Sequence, residues 1–461
     1  MTRKARISYN LNIRGFGIRG FGIRGFGIRG FGIRGFGIRG FGKGKSFCMR
    51  KFIVIVVVAL VVLCGASFYV YKTNDASETY ENKEIKNDSN MLSMMLETSA
   101  GSGEYQQTTA SAWPTEGYVF NESLSKCENG SAVSWNNINK KVIIKGAISD
   151  KCYIYFDKET ILLSNYIKSQ YIGTQGKNNL YLHDSTLTNG AGDNSYRYAG
   201  SSDTTNNFVC FGYDSTDGTC PTDYLYRIIG VFDNEVKIIK YDFANSELLG
   251  TDGDYSEETF LKNNYSNYRG DLSTINNFYW NNNTQNNTWS ESKLNTVNLN
   301  TNYLNNIGTS WANKIAISTW KVGGNTGANL TLVSASQSYQ NEIVSPAVST
   351  TYNTKVGLIY ISDYGYAASP DYWTYPFFNN DKNDYRLSIK ENWMFMGLSE
   401  WTITTESNNV TKSIAVGYDG NASNYYSVNQ SYRAVRPTFY LKSDIKYISG
   451  TGNKKEPIII K

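Results

Sequence analysis

Residues 52–71, FIVIVVVALVVLCGASFYVY, form one uncharged and almost wholly apolar run, and no later segment repeats it. A helix needs roughly 20 such residues to cross a bilayer, so the run predicts a transmembrane helix. Downstream, the apolar positions fall into short periodic groups. Residues 131–135, 140–145 and 151–156 are strand-like, with Cys152, Ile154 and Phe156 on one face. Together they predict a small β meander. Leu162, Leu163, Tyr166 and Ile167 share a helical face within 159–171. Residues 224–232 and 235–241 are β-rich runs around Asp233-Asn234, which is a hairpin signal. Helical pieces are predicted over 290–307, and strands over 356–362, 401–405 and 434–441.

This patterning predicts a β-rich α+β protein with a single N-terminal transmembrane helix, a small β meander and a C-terminal α+β domain with long loops. The boundaries follow changes in composition: a basic tail over 1–51, an anchor over 52–71 and a polar stalk over 72–112. A small β unit over 113–157, a connecting helix over 158–174 and the large domain over 175–461 complete the chain. Within the stalk, 90–97 (NMLSMMLE) is a short apolar patch that reads as one or two helical turns touching the folded portion. Residues 13–42 are six copies of Ile-Arg-Gly-Phe-Gly. A period of five suits neither helix nor strand, and two Gly in every five residues oppose packing. A tail of this kind would engage anionic lipid or RNA. Met49-Arg50-Lys51 and the apolar run already form a complete n-region and h-region, however, so a natural start at Met49 is the competing reading.

Charge sets the orientation. Of the 45 Lys/Arg residues, 13 lie in residues 1–51, where there is no Asp or Glu. Basic flanks stay cytoplasmic, which predicts a single-pass cell-membrane protein, N-terminus inside and C-terminus outside. Cys64-Gly65-Ala66-Ser67 offers small residues for a signal peptidase, yet the run continues through Phe68, Val70 and Tyr71, which favours an uncleaved signal anchor. The portion after residue 51 keeps 32 basic against 40 acidic residues. That balance argues against nucleic acid as its partner. Cys48 and Cys64 lie at the apolar run; Cys127, Cys152, Cys210 and Cys220 lie beyond it. In an oxidising compartment four cysteines suggest two disulfides. Three pairings are open, as are four free thiols, and the local pairs Cys127–Cys152 and Cys210–Cys220 are favoured.

Several segments resemble uncharacterised surface proteins of gut Firmicutes and Mollicutes-like bacteria. They are 113–118 (WPTEGY), 150–157 (DKCYIYFD), 192–198 (GDNSYRY), 225–230 (LYRIIG), 356–366 (VGLIYISDYGY) and 432–441 (YRAVRPTFYL). The closing strand and the helix start at 289–294 are also similar to the C-type-lectin/formylglycine-generating-enzyme fold. That resemblance places Trp393, Trp401 and Arg436 in the late core of a lectin-like domain. It implies placement at the surface and no particular activity.

Chemistry is sparse. His183 is the only histidine, which rules out a multi-histidine metal site, and its neighbour Asp184 has no nucleophile elbow to serve. The formylglycine-generating enzymes use a late cysteine pair; Cys210 and Cys220 come early, so that activity is not carried over. Asp252-Gly253-Asp254 with Glu257 and Glu258 could hold a structural calcium ion or form a solvated acidic turn. Residues 417–432 (GYDGNASNYYSVNQSY) combine rigid Tyr surface with adaptable Asn and Ser, as antibody loops do. The ligand-binding candidates are Tyr418, Asn421, Asn424, Tyr425, Tyr426 and Asn429. The expected function is non-catalytic recognition of a glycan or protein partner outside the cell. A cell-wall-directed enzyme and a structural surface component are the alternatives.

Overall fold

A computed structural model describes residues 92–461 apart from 109, 111, 115, 147–149, 216–217, 347–348, 378–384 and 423. Every described residue belongs to one compact unit, Thr79–Lys461. It is β-rich with about 20% helix. The expected fold needs correction in its membrane part: among the described residues no helix is long and apolar enough to cross a membrane. The basic tail, the run at 52–71 and the stalk as far as 91 lie outside the described residues.

The small β unit begins earlier than the sequence pattern indicates. Strand Leu92–Glu97, expected as helical turns in a stalk, runs parallel to Cys152–Lys158, with Leu92 opposite Cys152 and Leu96 opposite Phe156. Tyr105–Gln107 and Tyr118–Cys127 complete a four-stranded sheet. The hairpin Ala132–Asn136/Lys141–Lys145 packs on it. Six apolar-rich residues are too few to nucleate a stable helix, whereas an open strand edge offers each of them a backbone partner. Met94, Val142, Ile144, Ile154 and Phe156 form the core beside the Cys127–Cys152 disulfide. Trp135 meets Phe156 edge-on at 5.3 Å. A crosslink closing a loop of this size contributes roughly 2–4 kcal/mol, a large share for so small a sheet.

The connecting segment belongs to the large domain and does not stand between domains. Helix Leu163–Ser169 buries Leu163 and Ile167 in the main core. Ile161–Leu162 pairs with Lys446–Ser449, which pairs in turn with the C-terminal strand Ile459–Ile460. The principal sheet runs Val356–Gly357, Thr438–Leu441, Glu235–Lys240, Leu225–Phe232, Tyr196–Tyr198, Leu180–Leu182, with Phe208–Cys210 also on Leu225–Phe232. Its centre is the hairpin expected from the sequence, turning at Asp233 with φ 54°. The hairpin carries a bulge between Ile228 and Gly230, and a Cβ on Gly230 would lie 2.2 Å from the Tyr196 carbonyl, so only glycine fits. Leu294–Asn302 and Tyr303–Asn306 form the helical stretch expected near 290–307. Glu400–Thr405, Lys412–Val416 and Asn424–Ser427 form a separate three-stranded sheet.

Six tryptophans, 280, 289, 320, 373, 393 and 401, are fully buried and tie distant segments together. Trp393 Nε1 donates to the Tyr198 carbonyl at 2.8 Å and Trp401 Nε1 to that of Phe278 at 2.8 Å. Arg436 makes a bidentate pair with Glu400 at 2.5 and 2.6 Å.

Candidate functional site

A polar cleft of about 830 Å³ opens where five separated stretches converge. The loop after strand Tyr196–Tyr198 contributes Ser201, Ser202, Asp203, Thr205 and Asn206. Phe208 and Tyr241 come from the principal sheet and its end. Arg269 arrives from the connection between Tyr255–Leu261 and Thr274–Phe278, and Lys390 and Glu391 from the end of the turn Tyr385–Lys390. Asn453, Lys454 and Lys455 lie between the last two strands. Four cations therefore share the lining with two carboxylates.

Carbonyl oxygens, not carboxylates, hold the half-buried Arg269. Its Nη1 donates to Asn392 at 3.1 Å and to Phe395 at 3.3 Å, and its Nη2 to Ile389. Directly behind the Ser202–Thr205 wall lies Arg227, 1% exposed. It donates to Asn207 Oδ1 at 2.6 Å, Ser202 Oγ at 2.8 Å and the Thr205 carbonyl at 2.8 Å. The rings of Phe208 and Trp393 flank its guanidinium at 4.3 and 4.8 Å. Among the described residues neither arginine has an ion pair. Burial lowers the pKa of Arg269 and pushes that of Arg227 down to about 9. Lys454 reaches Tyr241 Oη and Asp271 Oδ2, each at 3.1 Å. Glu391 accepts from Ser369 Oγ at 3.1 Å. The cleft is a positively charged, hydrogen-bonding enclosure of a volume suited to a small ligand.

The residues singled out from the sequence are placed otherwise. Tyr418 is 59% exposed, whereas Asn421 is buried and its Nδ2 donates to both Asp419 oxygens at 2.6 and 2.7 Å. The backbones of Asn424 and Tyr425 pair with Ala415 and Ile414 in the three-stranded sheet. Tyr426 lies under the Arg433 guanidinium, and Asn429 is half-buried after that strand. The segment is a sheet edge and a tight turn, and among its described side chains Tyr418, Asn421, Tyr426 and Asn429 have these separate surroundings. Nor do the acidic residues converge. Asp252 accepts from Asn302 Nδ2 at 2.6 Å, and Asp254 from the amides of Asn282 at 2.8 Å and Leu294 at 2.7 Å. Glu258 accepts from the Ser431 hydroxyl, and Glu257 is exposed. Among the described residues no three His, Cys, Asp or Glu side chains cluster as a metal ion needs. The second pair expected from the sequence, Cys210–Cys220, is a disulfide. His183 is fully buried, accepts from the Ala191 amide at 3.1 Å and packs on Tyr366 and Trp373.

The chain matches no protein-family model, no curated protein and no solved structure. The cleft therefore has to be interpreted from its own chemistry. Arg269, Lys390, Lys454 and Lys455 escaped the sequence reading because no local spacing joins them. The one available signal was the Asn453-Lys454-Lys455 run within an otherwise acidic portion.

Proposed function

We propose that this is an exported, non-catalytic recognition protein whose basic cleft binds an acidic glycan. The observation that carries the reading is Arg269, fixed by three carbonyls without a carboxylate and joined at the cleft by Lys390, Lys454 and Lys455. Carboxylate or sulfate groups on a sugar supply the missing anions through charge-assisted hydrogen bonds. Ser201, Ser202, Thr205 and Asn206 provide partners for hydroxyl groups. The net negative charge of the portion after residue 51 disfavours long polyanions such as nucleic acid, leaving a short anionic ligand as the better match. Two disulfides support an oxidising, extracytoplasmic setting.

The test is calorimetric titration of the full chain with uronate-containing or sulfated oligosaccharides and their neutral analogues. Saturable binding of the acidic set alone is expected, weakening as salt is raised. Replacing Lys390, Lys454 and Lys455 together by Ala should reduce affinity by about tenfold or more and leave the thermal midpoint unchanged. Equal binding of neutral sugars, or an unaltered affinity in the triple variant, would overturn the assignment.

A further inference from the structure

Away from the cleft, the principal sheet buries a lysine against an aspartate inside an aromatic enclosure. Strand Glu235–Lys240 carries Lys237 into the interior, where it is 1% exposed and its Nζ lies 2.5 Å from Asp363 Oδ2. The rings of Tyr360, Tyr440, Trp320 and Phe232 surround that nitrogen at 4.7, 5.2, 5.5 and 5.7 Å. Asp363 belongs to the first turn of helix Ile361–Tyr366 and is 3% exposed. The Tyr360 amide donates to its Oδ2 at 3.0 Å, and Arg197 Nη1 lies 3.9 Å from its Oδ1. Arg197 has its own partner in Asp193, at 2.6 Å. Glu342, the remaining buried carboxyl of this cluster, accepts from the Ser362 amide at 3.1 Å and from Thr404 Oγ1 at 2.6 Å.

We propose that Lys237 and Asp363 condense to an intramolecular amide, crosslinking the central strand to the helix across 126 residues of chain. Keeping two charges out of water is costly in so dry an enclosure. One proton moves along the existing Nζ–H···Oδ2 hydrogen bond, leaving an amine against a carboxylic acid. The amine nitrogen attacks Cγ, forming the C–N bond, and Arg197 faces the oxygen that gathers negative charge. A second proton passes from nitrogen to Oδ2, the C–Oδ2 bond breaks, and one water departs. Nothing is oxidised or reduced, and no co-reactant is needed. The two groups are held in contact by the fold, which replaces a bimolecular encounter with a positioned one. Charge balances before and after: loss of the Lys237–Asp363 pair leaves Arg197 with Asp193. Burial also lowers the pKa of Lys237, in the direction that supplies free amine.

The decisive measurement is peptide mass mapping of the full chain after reduction, denaturation and trypsin digestion. The expected result is one joined species containing the Lys237 and Asp363 segments, lighter than their sum by one water and uncleaved after Lys237. In Lys237→Arg, whose guanidinium does not condense, the Asp363 segment should appear alone at its full mass. Recovery of both wild-type segments unjoined and at full mass would overturn the proposal. That result needs no variant to fold, and it bears on the crosslink independently of the cleft.

Discussion

At the scale of single residues, buried amides and hydroxyls act as substitutes for missing backbone partners. Asn298 donates to the Leu249 and Asp252 carbonyls at 2.8 and 3.0 Å while its oxygen accepts from the Asp254 amide at 2.9 Å. Asn287 serves three carbonyls, each at 3.0 Å, and the hydroxyls of Tyr226 and Tyr303 meet at 2.7 Å. The chain holds 51 Asn and 36 Tyr, and within 417–432 these residue types read from the sequence as adaptable contact surface. Many are instead consumed internally, because long loops leave carbonyls that must be satisfied. Two buried titratable groups give opposing pH responses. Burial raises the Glu342 pKa to about 7, so its contribution to stability is complete below the unfolded value near ~4.5 and is lost as pH rises through about 7. Burial holds His183 well below its usual value, so its contribution is present above ~6.5 and is lost as pH falls. Glu342→Gln should therefore exceed wild type by about 3 kcal/mol at pH 8 and converge with it near pH ~5. It should also lose stability more steeply on acidification. Urea unfolding across that range checks both.

Among the elements, those with strong local signals were legible. The 225–240 hairpin, the strands of the small unit and the helix near 163–169 arise where their periodicity placed them, but the expected meander does not form. Residues 132–136 and 141–145 pair only with each other, while 152–158 pairs with 92–97 and 118–127. Strand Leu92–Glu97 was not legible, because its parallel partner, Cys152–Lys158, lies more than fifty residues away and its apolar pattern fits one helical turn as well as one strand. Glu97 shows how the pairing is fixed. Its two carboxylate oxygens accept from the Gly103 amide at 2.8 Å and the Lys158 amide at 2.9 Å, clasping the strand between its neighbours. Met94, 4% exposed, is the strand's main apolar contribution to the small core. Met94→Asp should destabilise the small sheet by about 3 kcal/mol or more, since it buries an unpaired charge. Limited proteolysis should then cut within 92–158 while leaving the large domain intact. Preserved resistance there would show that the strand is dispensable.

On the scale of the whole molecule, the cleft was illegible for a topological reason. Its lining is drawn from positions 201 to 455, and only the closed sheet brings them together. The same long-range closure governs the chain's end. Cys210 donates to the Ile458 carbonyl at 2.9 Å, Ile458 donates back to Phe208 at 2.9 Å, and Ile459–Ile460 edges the strand beside the connecting helix. Ile458 and Ile460 sit in the main core. Deleting residues 456–461 should lower the thermal midpoint by several degrees, at about 4 °C or less per kcal/mol for a domain of this size. It should also make the 201–220 loop protease-sensitive, and an unchanged midpoint would show that the closing strand contributes nothing. This final latch has a temporal consequence. Synthesis proceeds from the N-terminus, so the strand at 208–210 waits, edge unfilled, until nearly 250 further residues have been made. The large domain therefore cannot complete its interior until residues 458–460 have been made.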